Sequence, residues 1–308
     1  MKKLILIIIS FLLVTSLLGC DKSEKADIYT SVYPIQFLVE TVAGDEYIVK
    51  SVYSKGQEIH GFEPTARLIE YMSDAQAIFY IGAGLETFIE TNEESIFKDS
   101  NLICLSNSLN LVETDGSCGD EEHDHHYLYD VHVWLDPSRM LLMLDVIVEN
   151  LSLLNPDKAS IFEANASSLS VDLADLHRDF NLAVQDVPLE NRYIMVDHDA
   201  YVYWEDTYGV KRIRLRSDND SCEVPSNQMQ EKINQANALG IKHVVVTKNE
   251  AECSNISIYV TGISGERVYM HNLGSLTDEE IENEENYITL MRQNLLILQQ
   301  ILPNTNPS

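Results

Sequence analysis

The sequence predicts an α/β protein with two lobes, each with a parallel-type sheet and flanking helices, joined by one long linker helix. Short β-rich segments alternate with helical segments in both halves of the chain, a pattern typical of parallel sheets covered by helices. Two consecutive helical segments interrupt this alternation in the middle. The chain has 308 residues, which is enough for two domains.

Four segments in the first half, rich in β-branched and aromatic residues, are predicted to be strands. They are DIYTSV (27–32), YIVKSVY (47–53), AIFYIGAG (77–84) and LICLS (102–106). Helical segments separate them, and Pro64 is placed in the first turn of the helix that begins PTARLIEYMS. The first lobe is expected to cover residues 27–155.

The middle of the chain predicts two helices in succession. Asp136 and Pro137 are typical of the N-cap and first turn of a helix over residues 137–154. The next helix is predicted from about Lys158 to Gln185, within a linker of residues 156–186. Its apolar residues recur at helical spacing: Phe162, Leu169, Leu173, Leu176, Phe180 and Val184. At 1.5 Å per residue this helix would be roughly 40 Å long, enough to connect two lobes.

Strand and helix segments alternate again in the second half. The predicted strands are YIMVD (193–197), VKRIRLR (210–216), IKHVVVT (241–247) and RVYMH (267–271). A helix is expected to end at Gly240, and YITLMRQNLLILQQIL is expected to form the closing helix. The second lobe is assigned to residues 187–302, followed by a tail of residues 303–308.

The N-terminus has the features of an export signal. Two lysines precede an apolar stretch (4–18) that is too short to span a bilayer comfortably, so residues 1–19 are predicted to be a signal peptide. LLGC resembles a bacterial lipobox, which would make Cys20 the lipidated first residue of the mature protein. Residues 20–26 would then form a tether on the bacterial membrane, at the extracellular face or in the periplasm. The alternatives are an ordinary signal peptide and a membrane anchor helix.

The remaining cysteines suggest disulfide bonds, because an exported protein folds in an oxidising compartment. Four cysteines follow Cys20, and they allow three pairings. The nearest-neighbour choice is Cys104–Cys118 with Cys222–Cys253, and free thiols are the alternative.

The charge of the chain argues against a nucleic-acid partner. There are 49 acidic against 21 basic residues, and the formal net charge is −28. Such a surface attracts cations, although it could also serve only solubility.

Four of the nine histidines lie where a predicted strand ends or a helix is about to begin: His60, His132, His198 and His271. Ligand sites of open α/β sheets form at the carboxyl ends of strands. Two of these histidines belong to each lobe, so a cleft between the lobes could bring four imidazoles to one ion. Imidazole nitrogens bind zinc at about 2.0–2.1 Å, and four of them complete a tetrahedron. The alternative is that each is an ordinary loop or core histidine.

Three motifs resemble those of the zinc and manganese substrate-binding lipoproteins of ABC importers. EIHGFEPTARLIEYMSDAQAIFYIGAGLE is similar to the family's E-P-H-x-x-E-P-T and A-D-x-x-x-x-x-G-x-G-L-E. DVHVWLDP is similar to D-P-H-x-W-L-D-P, and VDHDAYVYWEDTYG to x-x-H-x-A-F-x-Y-x-x-x-x-Y-G. The resemblance extends over residues 27–302. It implies two lobes rigidly joined by a long helix, one metal ion buried between them, and delivery of the ion to a membrane permease.

The resemblance also implies a ligand set. His60, His132 and His198 match the family's first three ligands. The family commonly has aspartate in D-x-L-G near the end of the chain, where this sequence has HNLG, so His271 takes that position. This chain departs from the family there, and His271 is expected to be the fourth ligand.

A carboxylate or water could take the fourth position instead. Glu58 is the first carboxylate candidate, because it lies two residues before His60. Asp197 and Asp199 flank His198 and are weaker candidates, since they could equally orient its imidazole. A nitrogen-rich tetrahedron favours Zn²⁺, whereas Mn²⁺ prefers harder oxygen ligands and is less expected.

The remaining histidines are assigned other roles. His123, His125 and His126 lie in the acidic loop TDGSCGDEEHDHHYLYD, and zinc members of the family often carry a histidine-rich loop at this point. This loop could capture metal weakly, or it could be a solvated loop with incidental histidines. His177 and His243 are assigned no metal.

The sequence therefore predicts a monomeric zinc receptor of an ABC importer and not an enzyme. An exported zinc hydrolase is the first alternative, but HExxH and G-x-S-x-G motifs are absent from the sequence. An adhesin with a structural metal is the second. Metal affinity is expected to fall below about pH 6, where free histidines become protonated.

Overall fold

The computed structural model describes residues 25–114, 128–216, 221–248 and 250–302. Each half of this structure contains a four-stranded parallel sheet. The strands of the first sheet are Ile28–Thr30 (β1), Val49–Ser51 (β2), Ala77–Tyr80 (β3) and Leu102–Cys104 (β4). Those of the second are Tyr193–Val196 (β5), Lys211–Arg214 (β6), His243–Lys248 (β7) and Glu266–His271 (β8). All eight coincide with predicted strands.

The two sheets have the same connectivity. Their strand orders are β2-β1-β3-β4 and β6-β5-β7-β8. In each sheet the chain reverses its direction of travel across the sheet between the two central strands, so the carboxyl ends of those strands border a crevice. Since the strands are parallel, all carboxyl ends of one sheet lie at one edge.

Ten α-helices cover the sheets and connect the lobes in the described residues. They are Tyr33–Ala43 (α1), Ala66–Ser73 (α2), Thr87–Glu90 (α3), Pro137–Leu154 (α4), Ala159–Val184 (α5), Val202–Tyr208 (α6), Ser226–Ala238 (α7), Ile256–Gly262 (α8), Asp278–Glu282 (α9) and Tyr287–Ile301 (α10). Within the parts of the chain that the structure covers, none is long and apolar enough to cross a membrane.

The predicted pair of central helices is confirmed. Helix α4 begins where the sequence indicates, because the Asp136 side chain accepts a hydrogen bond from the Ser138 N–H. Helix α5 has 26 residues, and its apolar face is buried against α1, α4 and α10. This helix therefore packs on elements of both lobes.

The position of Pro64 is a small correction. Helix α2 begins at Ala66, and Thr65 is its N-cap, with Thr65 Oγ1 accepting a hydrogen bond from the Leu68 N–H at 3.2 Å. Pro64 therefore precedes the N-cap and is not in the first turn. A threonine that can accept this bond outcompetes the preference of proline for the first turn.

One apolar core is shared by both lobes. It includes Ile28 and Phe79 of the first lobe, Phe180 of α5, and Trp204 and Met270 of the second lobe, all fully buried. A smaller separate core fills the outer part of the second lobe. Since a large apolar interface opposes relative domain motion, the shared core joins the lobes rigidly.

Candidate metal centre

Three of the predicted histidines lie together between the lobes. His60, His132 and His198 each offer one potential ligand atom, and these atoms all lie within 4.8 Å of one another. The Nε2 atoms of His132 and His198 are 3.2 Å apart. His132 and His198 are 5% and 4% exposed, and His60 is half-buried. The first lobe supplies two of the imidazoles and the second lobe supplies one.

Asp130 orients His132. Its Oδ1 accepts a hydrogen bond from the His132 main-chain N–H at 2.9 Å and lies 3.2 Å from His132 Nδ1. In the neutral ring this carboxylate favours the proton on Nδ1, which leaves the lone pair on Nε2, the atom that faces His198. A carboxylate behind an imidazole is the usual arrangement for fixing the ring and tautomer of a metal-binding histidine.

Aromatic side chains fix the segment that carries His132. They donate hydrogen bonds across the boundary between the lobes to main-chain carbonyl oxygens. The bonds are Tyr203 Oη to Asp130 at 2.6 Å, Trp204 Nε1 to Leu135 at 2.7 Å, Tyr287 Oη to Trp134 at 2.7 Å, and Trp134 Nε1 to Asn272 at 2.7 Å. These bonds, three of them buried, hold residues 130–135 against the second lobe.

His198 follows β5, one of the two central strands of the second sheet. Its Nδ1 lies 3.5 Å from Oε2 of Glu250, which follows the other central strand, β7. Glu250 Oε2 is also 3.4 Å from Arg216 Nη2, and its Oε1 accepts a hydrogen bond from Asn272 Nδ2 at 2.5 Å. Burial and the nearby Glu58 raise the pKa of Glu250 to about 7. A carboxylate thus lies behind His198 as one lies behind His132.

His60 lies on the loop between β2 and α2. Glu58 Oε1 accepts a hydrogen bond from the His60 main-chain N–H at 3.1 Å. The neighbouring Ile59 is buried against Gly274, where a Cβ atom would lie 3.2 Å from Ile59 Cδ1. The glycine of HNLG therefore allows the loop after β8 to approach the loop that carries His60.

The electrostatic environment makes the three imidazoles unequal. Burial, together with repulsion from the positive charges of His132 and Arg216, lowers the pKa of His60 to about 3. The same causes, burial first, lower the pKa of His198 well below its ordinary value. Burial also opposes a charge on His132, but attraction to Asp130 outweighs it and raises the pKa of His132. Two of the three histidines are therefore neutral and ready to bind a cation.

The spacing of His132 and His198 suits two ligands of one tetrahedral ion. Two nitrogens bound to one zinc ion at 2.0–2.1 Å are about 3.3 Å apart. The separation of 3.2 Å between His132 Nε2 and His198 Nε2 is close to that value. Without an ion, two lone pairs would face each other at this distance unless one nitrogen carried a proton. The donor set is imidazole nitrogen, which suits zinc better than manganese.

His271 does not join this cluster. Its Nδ1 accepts a hydrogen bond from the Leu273 N–H at 2.7 Å, and its Nε2 lies 3.1 Å from Glu280 Oε1. Both ring nitrogens are engaged within the second lobe, and the described group of potential ligands contains only the other three histidines. The expectation that His271 is the fourth ligand is therefore not supported, because a neighbouring main-chain donor and a buried carboxylate bind its ring instead.

The predicted carboxylate substitutes occupy different positions. Asp197 Oδ1 accepts hydrogen bonds from the main chain and hydroxyl of Thr247, at 3.0 and 3.1 Å. Asp199 pairs with Arg212 at 2.5 Å. Glu58 is exposed on the same loop as His60, but its carboxylate is not part of the three-histidine group. Of the three, Asp197 is held by Thr247 and Asp199 by Arg212, whereas the Glu58 carboxylate is hydrogen-bonded to the main chain of the proposed ligand His60 itself.

The Cys222–Cys253 disulfide is present, and it links the segments that follow β6 and β7. Cys104 is a free thiol, which does not support the Cys104–Cys118 pairing; Cys118 lies outside the described residues. Residues 1–19, Cys20, and the loop histidines His123, His125 and His126 also lie outside them.

His177 and His243 lie away from the cluster. His177 Nδ1 is 3.0 Å from Tyr208 Oη, and His243 Nε2 is 3.4 Å from Glu266 Oε1. Neither belongs to a described group that could hold an ion.

The sequence analysis missed Asp130 and Glu250. Asp130 could have been identified from the sequence, since it is the carboxylate two residues before His132 in DVHVWLDP. Glu250 follows β7 by two residues, as His198 follows β5, but only the pairing of those strands shows that the two side chains meet.

Comparison with known proteins identifies the family. The family model described as ZnuA, zinc-uptake complex component A periplasmic, matches residues 28–301. The chain belongs to the ZnuA family. Its relatives include the zinc-binding lipoprotein AdcA of Streptococcus pneumoniae, which is 26% identical over 318 residues, covering all of this chain and 62% of AdcA.

A manganese-binding relative is also similar. The manganese-binding lipoprotein MntA of Halalkalibacterium halodurans is 27% identical over 278 residues, covering 89% of this chain and 88% of MntA. Among solved structures, the Zn(II)-bound ZnuA-like domain of S. pneumoniae AdcA matches with a TM-score of 0.75 and 24% identity, covering 91% of this chain and all of that domain. This likeness shows that the chain has the two-lobed ZnuA-like fold.

Proposed function

We propose that this chain is the zinc-binding receptor of an ABC-type importer and that His60, His132 and His198 bind the ion. The observation that carries the proposal is the approach of three imidazoles from two lobes to one buried point. The carboxylate behind His132 and the carboxylate behind His198 support it, because such groups orient metal-binding histidines. Since the chain spans 62% of the length of AdcA, its activity and partners are proposals as well.

The fourth position is proposed to hold water or Glu58. Water fits the three-histidine group as it stands, whereas Glu58 would have to turn its carboxylate from the His60 main chain toward the ion. If Glu58 is a ligand, Glu58→Gln weakens zinc binding by at least about tenfold; if water is the ligand, the affinity is nearly unchanged.

Zinc is the proposed metal, and manganese is the alternative. Three nitrogen donors favour zinc, although the relative MntA is named for manganese. The relatives are named as binding proteins, so we propose no catalytic activity.

We further propose that the mature protein is a monomer anchored through a lipid on Cys20 and that it delivers the ion to a membrane permease. Two relatives are named lipoproteins, which supports export and anchoring. The loop histidines His123, His125 and His126 are proposed to capture metal weakly near the cleft.

The deciding experiment measures the metal content of residues 21–308 after dialysis against equimolar zinc and manganese. We expect about one tightly held zinc per chain. Retention of manganese would change the metal assignment, and retention of neither metal would overturn the receptor proposal. His271→Ala serves as a comparison, since its stoichiometry should remain that of the wild type.

A further inference from the structure

Each of the four strands of the second sheet is followed by a polar residue just beyond its carboxyl end, so these residues lie at the same edge of the sheet. His198 follows β5 by two residues, Arg216 follows β6 by two, Glu250 follows β7 by two, and Asn272 directly follows β8. The strand order β6-β5-β7-β8 makes these ends neighbours. The four residues therefore form a row along this edge in the order Arg216, His198, Glu250 and Asn272.

Glu250 is the centre of this row. It lies 3.5 Å from His198 Nδ1, at the outer limit of a hydrogen bond, and 3.4 Å from the Arg216 guanidinium. Asn272 donates to its other oxygen at 2.5 Å. The Glu250 and Arg216 side chains are only 11% and 14% exposed, so solvent screens their charges weakly.

Asn272 connects this row to the segment of His132. Its main-chain oxygen accepts the Trp134 Nε1 hydrogen bond at 2.7 Å, while its side chain holds Glu250. The disulfide Cys222–Cys253 ties together the segments that follow β6 and β7, close to Arg216 and Glu250 along the chain. The position of Glu250 is thus fixed from two sides.

From this arrangement we infer that Glu250 and Arg216 form a charge pair that positions His198 and sets the affinity of the site for a divalent cation. The inference rests on the proposed function. Glu250 is a positioning residue that accepts a hydrogen bond from the Nδ1–H of His198, so that Nε2 presents its lone pair to the ion. Arg216 places a positive charge next to Glu250 and so lowers the attraction of the site for a cation.

The two members of the pair have opposite expected effects. Glu250→Gln removes the negative charge and leaves Arg216 near the ion, so zinc affinity should fall by about 10- to 100-fold. Arg216→Gln removes the opposing positive charge, so the affinity should stay at the wild-type level or rise. The double variant should bind zinc more tightly than Glu250→Gln, because it lacks the Arg216 guanidinium, whose positive charge Glu250 no longer balances in the single variant. A purely structural pair would instead weaken binding in all three variants.

The test compares these variants by competition with a chromophoric zinc chelator at about pH 8. Glu252→Gln is the matched control, since Glu252 lies in the same segment but pairs with Arg267 at 2.9 Å, away from the histidines. It should bind zinc as the wild type does. An Arg216→Gln variant as weak as Glu250→Gln, or a Glu250→Gln variant within about twofold of wild type, would overturn the inference.

A second readout separates this inference from the proposed function. In metal-free protein labelled with ¹⁵N-histidine, long-range ¹H–¹⁵N NMR reports which ring nitrogen of His198 carries the proton. We expect the Nδ1–H form in wild type and a loss of that preference in Glu250→Gln. The absence of a preference in wild type would overturn the inference even if zinc binds. Absence of zinc binding by wild type, with the preference intact, would instead overturn the receptor proposal alone.

Discussion

His132 Nε2 and His198 Nε2 face each other at 3.2 Å across the boundary between the two lobes. Both rings are buried, and each has a carboxylate on its Nδ1 side, Asp130 for His132 and Glu250 for His198. Two unprotonated nitrogens would repel each other at this distance, and either a proton on His132 or a bound cation between them removes that repulsion. The predictions below follow from this arrangement.

Removing either imidazole should destroy tight metal binding. His132→Ala or His198→Ala deletes one of three proposed protein ligands, so zinc affinity should fall by more than about 100-fold, beyond the usual effect of changing a residue behind a ligand. Competition with a zinc chelator measures the change. His177→Ala is the control, because His177 of α5 is hydrogen-bonded to Tyr208 and lies outside the three-histidine group. Zinc affinity within tenfold of wild type in either variant would contradict the ligand assignment.

The affinity for zinc should fall by about tenfold per pH unit once the pH is below the pKa of His132, which lies above the ordinary histidine value of about 6.5; this slope corresponds to one proton. The pKa of His132 is raised by Asp130, so zinc must displace its proton, whereas the lowered pKa values of His60 and His198 leave them neutral. Three ordinary histidines would lose up to about a thousandfold per pH unit. Calorimetric titration between pH 7.5 and pH 5 distinguishes the two slopes, and a flat profile would contradict both.

Zinc should stabilise the folded chain, since ligands from both lobes bind one ion only when both are folded. At a free zinc concentration of 100 times Kd, the free energy of unfolding should rise by about 2.7 kcal/mol. Thermal unfolding with zinc, and again after removal of zinc by EDTA, measures the gain. The gain should be absent in His132→Ala, and an equal gain there would place the stabilising ion elsewhere.

The His271–Glu280 pair should contribute to stability and not to metal stoichiometry. Burial disfavours the Glu280 carboxylate, but hydrogen bonds from His271 and Thr277 outweigh this and hold its pKa well below the ordinary value. A lowered pKa in the folded state gives stability that is present above the unfolded pKa of about 4.3 and is lost as the pH falls. Glu280→Gln should therefore lower the free energy of unfolding by about 3 kcal/mol at pH 7.

The difference between wild type and Glu280→Gln should shrink progressively as the pH falls below about 4, because the unfolded wild-type chain then takes up a proton on Glu280 that the folded chain does not bind until much lower pH. Urea unfolding of both proteins at several pH values measures this difference in the free energy of unfolding. Glu279→Gln is the matched control, since Glu279 is exposed at the preceding position of the same helix. If Glu280→Gln lowers the free energy of unfolding by the same amount at every pH, then packing, and not charge, accounts for its effect.

The Cys222–Cys253 disulfide should stabilise the second lobe. It joins cysteines 31 positions apart, and closing a loop of this length restricts the unfolded chain by about 3–4 kcal/mol. Replacing both cysteines by serine, in a Cys104→Ser background that excludes thiol exchange, should reduce the free energy of unfolding by that order. Equal stability of the oxidised and serine forms would show that the bridge is not formed in the protein.

Most of the fold could be predicted from the sequence. The strands lie in short β-rich segments, the helices have apolar faces at helical spacing, and the pair α4–α5 starts with a clear N-cap at Asp136. These patterns are local, so they can be recognised without knowledge of the tertiary structure. Pro64 shows the limit of this approach, since a neighbouring threonine decided where α2 begins.

The site was predicted only in part. His60, His132 and His198 stand at strand and helix ends, and their motifs indicated that they would meet. His271 stands at an equally suitable strand end, yet its ring binds Glu280 and the Leu273 N–H. A sequence shows where a strand ends, but it does not show the direction in which the next side chain points.

The sequence by itself therefore determined the two parallel sheets, the long connecting helix and the presence of a histidine-rich centre, because each depends on local pattern and chain order. The tertiary structure alone decided which histidines share one point and which carboxylates lie behind them. Glu250 reaches His198 only because β5 and β7 are neighbours in the sheet. Contacts between residues 52 positions apart depend on strand order and packing, which no local pattern encodes.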